Sequence, residues 1–549
     1  MKPVQQSRDL FKGAFILTIA ALITKILSAV YRIPFQNIVG DVGFYIYQQA
    51  YPFYAIAVAL ATTGFPVVIS KLYAEVHVRK ERGGKERLLL VSFLFLQFMG
   101  IVCFVILYAG AGEIAGWMGD PELAVLLKVI SFVFLLFPLI SLLRGYYLGR
   151  GWMLPTAASQ VSEQAIRVCT ILILSFYLTK KGYSLYFVGS GAMFGSIIGS
   201  IVSVLVLFLF LADRNKWVKT LFNRQSIRLI GKDSGWIIKA LVFQGLAIGL
   251  SGMLMIFLQI ADSISLYSEL VASGVEKEAA KSLKGIFDRG QPLIQLGTVA
   301  ATSMSLSLVP LIASERLKRE PAFLEHKIRL SLQFSIVLGI GASAGLWAIM
   351  EPANTMLFEN DYGSDVMRVL GLVVFLNSGI STTTAIMQGM GYLLFPAAMI
   401  MLSFPLKYFM NLFLIPSFGT MGAALSSVFT LAIISVFLMV KLKKELPFSF
   451  FSQKFWVVTI TAALTMVLFL KGYLSIMSNW FFIEAAGTSR IGAAFLSLSA
   501  VFLGGTMFFT IVLRGKVFSE EDLSLFPFGS KLALFLPRHD RSRNNGKEN

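Results

Sequence analysis

"LGRGWMLPTAA" (Leu148–Ala158) returns 240 residues later as "QGMGYLLFPAA" (Gln388–Ala398). The overlay pairs Gly149 with Gly389, Gly151 with Gly391, Trp152 with Tyr392 and Leu154 with Leu394. Eighteen positions beyond the first glycine of each stretch stands a base, Arg167 in one and Lys407 in the other. The same offset relates Pro52 to Pro292 and lays "ATTGFPVVISKLYAE" (Ala61–Glu75) over "ATSMSLSLVPLIASE" (Ala301–Glu315). Apolar composition produces chance matches, but it does not bring proline, Gly-x-Gly-aromatic, glutamate and a base into coincidence. One structural unit therefore occurs twice along the chain.

Hydropathy says what that unit is made of. The 549 residues are 56% hydrophobic and 14% charged, with a mean hydropathy of +0.74, where a soluble chain carries about 25% charged residues. Apolar runs of about 20 residues, the length that spans a bilayer, recur throughout. They predict an all-α polytopic membrane protein with fourteen helices near 13–39, 45–70, 88–111, 123–146, 155–178, 184–212, 235–262, 285–312, 329–353, 364–387, 395–415, 419–441, 455–474 and 490–513. Six crossings return a chain to its starting side, so the repeat predicts two parallel six-helix lobes, 13–212 and 235–441, with helices 455–513 added. Parallel repeats are a transporter architecture with the substrate path between the halves. The first apolar run is too long for the h-region of a signal peptide, and no small-residue cleavage site follows it.

The net charge of +18 sits in short joints, such as "DRNKWVKTLFNRQSIRLIGK" and "KLKKELPFSFFSQK". These joints follow even-numbered helices, which places both termini, residues 1–12 and 514–549, and the linker 213–234 in the cytoplasm. Lys180 and Lys181 are the exception and fall outside. This distribution marks topology and argues against a nucleic-acid partner. Cys103 and Cys169 lie inside apolar runs, and His77, His326 and His539 are scattered, so neither a disulfide framework nor a metal site is expected. No ATP-binding P-loop occurs. A coupling cation (Na+ or H+) or the membrane potential would have to supply the energy.

Charges inside the apolar runs carry the function, because each needs a partner or a wet cavity. At about 1.5 Å of rise per residue, Lys25, Arg167 and Lys407 fall roughly 18 Å from the cytoplasmic ends of helices 1, 5 and 11. Glu163 precedes Arg167 by one turn and can meet it on the same face. Arg32, Asp262 and the pair Asp288–Arg289 are open to two readings, as cavity groups or as outer-interface residues that snorkel. Buried bases outnumber buried acids, which suits an anion, and arginine's fork suits phosphate. Gln48, Gln49, Gln160, Gln164, Gln291 and Asn411 add neutral groups that either bind sugar hydroxyls or glue helices together. Gly149, Gly151, Gly389 and Gly391 are hinge candidates, or simply tight turns.

"GFPVVISKLYAE", "LLRGYYLGRGWMLPTAASQVSEQAIR" and "FDRGQPLIQLGTVAATSMSLSLVPLIAS" resemble the MurJ/SpoVB-like polysaccharide flippases of the MOP (multidrug/oligosaccharidyl-lipid/polysaccharide) superfamily. "RIPFQNIVGDVGFYIYQQAYPFY" is similar to Bacillus-type polysaccharide biosynthesis proteins within that branch. The resemblance implies two lobes in a V around a central cavity, and two further helices forming a lipid-facing groove. It implies a transporter, not an enzyme, in the bacterial cytoplasmic membrane. The substrate would be an undecaprenyl-pyrophosphate-linked saccharide, lipid II or a related cell-wall or spore-envelope precursor, flipped outward by alternating access. Envelope-synthesis proteins would be its protein partners. Arg289 matches the family's helix-8 arginine and Lys25 a helix-1 base. Both would hold the pyrophosphate with Arg167, while Asp288 positions the Arg289 guanidinium. A second helix-1 arginine of the family falls on Tyr31, one position from Arg32, and the helix-2 arginine has no counterpart before Lys71. A cation-coupled exporter of the same superfamily, and an enzyme or scaffold of envelope polysaccharide synthesis, are the competing readings.

Overall fold

The computed structural model describes residues 3–79, 83–211, 234–306, 321–480, 490–520 and 522. The described residues are helical and contain no strand. Twelve helical runs among them are long and apolar enough to cross a membrane. The chain is a multi-pass membrane protein. Large apolar side chains left uncovered, such as Phe413, Leu468 and Ile491, belong on such a surface, where the solvent is lipid. The expected linker 213–234, the end of helix 8 beyond 306 and the tail beyond 522 lie largely or wholly outside the described residues.

The first apolar run, Phe15–Val78, is 64 residues long, about 96 Å at 1.5 Å per residue and far more than one crossing. It comprises α1 (Pro3–Val30), α2 (Arg32–Ala59), a π-helical turn (Leu60–Gly64) and α3 (Phe65–Arg79). Sequence places the first break near residue 39. The turn at Tyr31 keeps helical dihedrals, and Phe35 N–H still donates to the Tyr31 carbonyl. The interruption is Gly40, at φ 69° and ψ −177°, a region open essentially to glycine alone.

The next elements are α4 (Gly84–Ala109), α5 (Ala111–Trp117), α6 (Ala124–Ser131), α7 (Val133–Gly149), α8 (Leu154–Lys180) and α9 (Leu185–Leu209). The expected helix 235–262 is broken instead into α10 (Gly235–Ala240), a π-helical turn (Leu241–Gly245), α11 (Leu246–Ser251) and α12 (Leu254–Ala272). The expected helix 8 likewise begins early, as α13 (Lys277–Asp288), and resumes after Arg289 as α14 (Gly290–Leu306). Six long helices complete the chain: α15 (Pro321–Phe358), α16 (Ser364–Gly389), α17 (Leu394–Phe418), α18 (Thr420–Glu445), α19 (Gln453–Trp480) and α20 (Arg490–Arg514).

The offset seen in sequence is kept by the backbone. α7 and α16 end at Gly149 and Gly389, and α8 and α17 begin at Leu154 and Leu394. Between them Gly151 and Gly391 both take positive φ. The same 240-residue offset joins Gly119 to Glu359, both left-handed at φ 77° and 71°.

Two compact units result. One holds residues 1–288 and 392–426, the other 289–391 and 427–549. In the first, α8 lies along α9 and α1, and α12 packs on α17 and α2. In the second, α15, α19 and α20 share an apolar core that includes Phe334, Met466 and Phe508. Gly40→Ala should cost roughly 1–3 kcal/mol, the strain of forcing a side chain into that backbone region. Thermal unfolding of the purified protein in detergent would show it as a lowered midpoint.

Candidate functional site

Tyr47, Tyr51 and Tyr54 recur at helical spacing along α2, so they share a face. Tyr31, just before α2, joins them through a 2.8 Å hydrogen bond between the Tyr31 and Tyr47 hydroxyls. This wall receives two arginines. The Arg32 guanidinium lies 4.3 Å from the Tyr51 ring centre. That of Arg167, from mid-α8, lies 4.6 Å from Tyr54, 5.2 Å from Tyr31 and 5.9 Å from Tyr51. Tyr51 is thus shared by two cations that are only 2% and 1% exposed.

Neither arginine makes an ion pair with a described carboxylate. Arg32 Nε and Arg167 Nε and Nη1 have no hydrogen-bond partner among the described residues. A desolvated cation–π contact contributes about 2 kcal/mol, whereas removing an ion from water costs several. Ring faces alone do not offset that cost for two guanidiniums that share the Tyr51 ring. What they leave is N–H donors without acceptors among the described residues, on two buried cations. Gln164 Nε2 and Gln48 Oε1 are buried and unsatisfied too. Gln49 Nε2 donates to the Ser263 carbonyl at 3.1 Å, which makes that glutamine helix glue. Gln160 is partly exposed on α8.

Glu163 does not pair with Arg167, as its one-turn spacing allowed. Its carboxylate accepts from Arg144 Nη2 at 2.7 Å. Arg144 also donates to Ser159, Ser203, Thr62 and the Ala61 carbonyl, so its guanidinium is fully occupied. Lys407 is likewise not an unpaired cation: its Nζ lies 2.5 Å from Asp262 Oδ2, across from α17 to α12. Asn411 donates to Asp262 Oδ1 at 3.1 Å and to Ser265, and accepts from Ser426. Asp262 is therefore a buried counter-ion and no interfacial residue. Asp288 does not serve Arg289 as expected; both its oxygens accept from Lys284 Nζ at 2.7 Å, one turn back on α13.

Arg289 belongs to the second unit, where Nη1 donates to Asn360 Oδ1 at 2.7 Å and the guanidinium lies 5.3 Å from the Phe358 ring. It is buried, so the snorkelling alternative falls for it and for Arg32. Gln291 is buried beside it in sequence. Lys25 is exposed on α1 without an ion-pair partner among the described residues. Gly149 lies under Tyr73, with 2.8 Å between a built Cβ and the Tyr73 Cβ, a close-packing role. Gly389 ends α16. No group of three or more His, Cys, Asp or Glu able to hold a metal occurs among the described residues.

A model of the family described as "Polysaccharide biosynthesis protein" matches residues 10–315, a stretch that holds both unpaired arginines, the tyrosines and Arg144. The chain belongs to that family. It is 42% identical to the uncharacterized membrane protein YabM of Bacillus subtilis over 97% of this chain and 98% of that one. It is 25% identical to the lipid II flippase MurJ of the same organism, over 77% of this chain and 80% of that one. A solved MurJ, in an inward closed conformation, covers 91% of this chain and all of its own at 14% identity, with a TM-score of 0.65. The MurJ/SpoVB-like resemblance is thereby borne out, and the solved structures share the fold.

Sequence reasoning missed Arg144, Lys284, the Asp262–Lys407 partnership and the tyrosine wall. Only the last has a sequence signal, aromatic side chains at positions 47, 51 and 54 in "YQQAYPFY". Lys407→Met should strand Asp262 and lower stability by about 3–5 kcal/mol. Adding Asp262→Asn should recover most of it, as read from unfolding midpoints of the two variants in detergent.

Proposed function

We propose that this chain flips a lipid-linked saccharide, carried on a polyprenyl pyrophosphate, from the inner to the outer leaflet of a bacterial cytoplasmic membrane. The observation that carries this reading is that Arg32 and Arg167 are buried against a shared tyrosine wall, with N–H groups lacking acceptors and no ion pair among the described residues. A pyrophosphate offers what the pair lacks: acceptor oxygens in number, and negative charge that two guanidiniums grip bidentately. The relative named as a lipid II flippase supports the substrate class. A peptidoglycan precursor or a related envelope glycan is the cargo.

The buried acids support an anionic cargo over a cationic drug. Glu163, Asp262 and Asp288 each have a basic partner, and Asp120 accepts from the Tyr45 and Tyr186 hydroxyls. A cation exporter would need such a carboxylate unengaged. In the proposed cycle two parallel six-helix lobes, within fourteen crossings and with both termini cytoplasmic, alternate access to the headgroup site. Lys25 would extend the cationic path, and Gly151 and Gly391 would mark the joints between paired helices. The prenyl chain is too long for a polar cavity and stays in lipid, along the last two helices. The membrane potential, or a Na+ or H+ gradient, would drive the turnover.

Arg167→Ala and Arg32→Ala should each abolish flipping of a labelled lipid-linked precursor in proteoliposomes, assayed with and without a membrane potential. Both variants should remain inserted and monodisperse. Wild-type rates in both would overturn the proposal.

A further inference from the structure

Glu163 stands one turn before Arg167 on α8, the spacing at which a carboxylate and a guanidinium on one helix face meet. Both are buried, and α9 closes over them: a Cβ built on Gly199 would lie 2.8 Å from the Glu163 carbonyl and 3.0 Å from the Arg167 Cβ. At 8% and 1% exposure the two are poorly screened by solvent, so an acid in reach of Arg167 would pair with it. Glu163 is instead held away by Arg144, from the last turns of α7, at 2.7 Å. The rest of the Arg144 fork is anchored on four further acceptors, Ser159, Ser203, Thr62 and the Ala61 carbonyl. The last two sit in the π-helical turn 60–64 that follows the tyrosine wall.

We infer that Arg144 is a positioning residue that sequesters Glu163 and so keeps Arg167 cationic and unoccupied for the anionic headgroup. The inference rests on the reading of Arg167 as a headgroup ligand. A buried acid beside an anion site would otherwise defeat it twice, by pairing with the arginine and by repelling the phosphate. With Arg144 removed, a rotamer change brings the Glu163 carboxylate onto Arg167. With both removed, Arg167 is again without a counter-ion.

The test uses the full-length protein in proteoliposomes, with flipping of labelled precursor and binding of inorganic pyrophosphate as readouts. Arg144→Met should lower both by about tenfold or more, the scale of one charged hydrogen bond. Arg144→Met with Glu163→Gln should restore both to within about threefold of wild type, and Arg144→Lys, which keeps the charge opposite Glu163, should retain most activity. A purely structural Arg144 would give a double variant no better than the single one, and that result overturns the inference. So does wild-type behaviour of Arg144→Met. If Arg144→Met does not fold, the double variant decides: restored activity supports the inference, and a folded but inactive protein overturns it. Arg167→Ala serves as the reference. Wild-type flipping in that variant would remove the headgroup reading itself, a failure distinct from that of Arg144.

Discussion

A charge placed inside a membrane protein must be answered locally, because neither lipid nor packed side chains solvate it. Every buried base in the first unit can be understood by asking how it is answered. Lys407 has Asp262, Lys284 has Asp288 and Arg144 has Glu163, each at hydrogen-bond distance across or along helices. Arg32 and Arg167 have tyrosine faces and no ion pair among the described residues. Tyrosine rings hold a guanidinium in place without discharging it, whereas a carboxylate would cancel it. The contrast between those two kinds of answer separates charges that tie helices together from charges that, in the proposed function, meet the headgroup.

The same constraint shapes the helices that carry these residues. α8 lies close along α9, and α12 along α17, so a buried base on one finds its partner on the other only where the pairing is built in. Asn411 and Ser426 complete the shell around Asp262, as a buried ion pair requires once its charges have been taken from water. The Arg144 fork does the same over α7, α8, α9 and the π-helical turn. A π-helical turn leaves a carbonyl short of its usual helical partner, and the Ala61 carbonyl accepts from Arg144. The irregularity and the arginine are thus complementary parts of one joint.

The all-helical, membrane-spanning character of the chain and its repeat were legible because they are written in period and spacing. The 240-residue offset from "LGRGW" to "QGMGY" predicted helix ends that coincide to the residue. Gly40 was legible only as a gap between two apolar runs. The broken helix at 235–262 was not legible, since Gly252 looks like any helical glycine until the dihedrals are known. Arg167 and Lys407 lie midway along α8 and α17 and are buried, which a base inside a long apolar run already suggests. Partnership was not legible. The i, i+4 rule offers Glu163 to Arg167, but α7 brings Arg144 to the same carboxylate from 19 residues away in sequence, and no local pattern announces a cross-helix contact. Asp262 and Lys407 are 145 residues apart and equally silent.

The repeat turns that blindness into an argument about divergence. Arg167 and Lys407 occupy equivalent positions of α8 and α17, yet of the two only Lys407 has an ion-pair partner among the described residues. Counted at the same offset, the place of Asp262 is taken by Leu22 in the first half, and that of Asn411 by Ile171. The places of Tyr47, Tyr51 and Tyr54 are taken by Phe287, Gln291 and Ile294 in the second. Each half has what its own base uses and lacks what the other's uses. A lysine, a compact and strongly hydrated point charge, sits with the carboxylate. An arginine, planar and weakly hydrated, sits with the aromatic faces. Two copies of one helix pair thus differ in a base and its immediate neighbours: one base ties helices through a carboxylate, and the other is held against aromatic faces with no ion pair among the described residues.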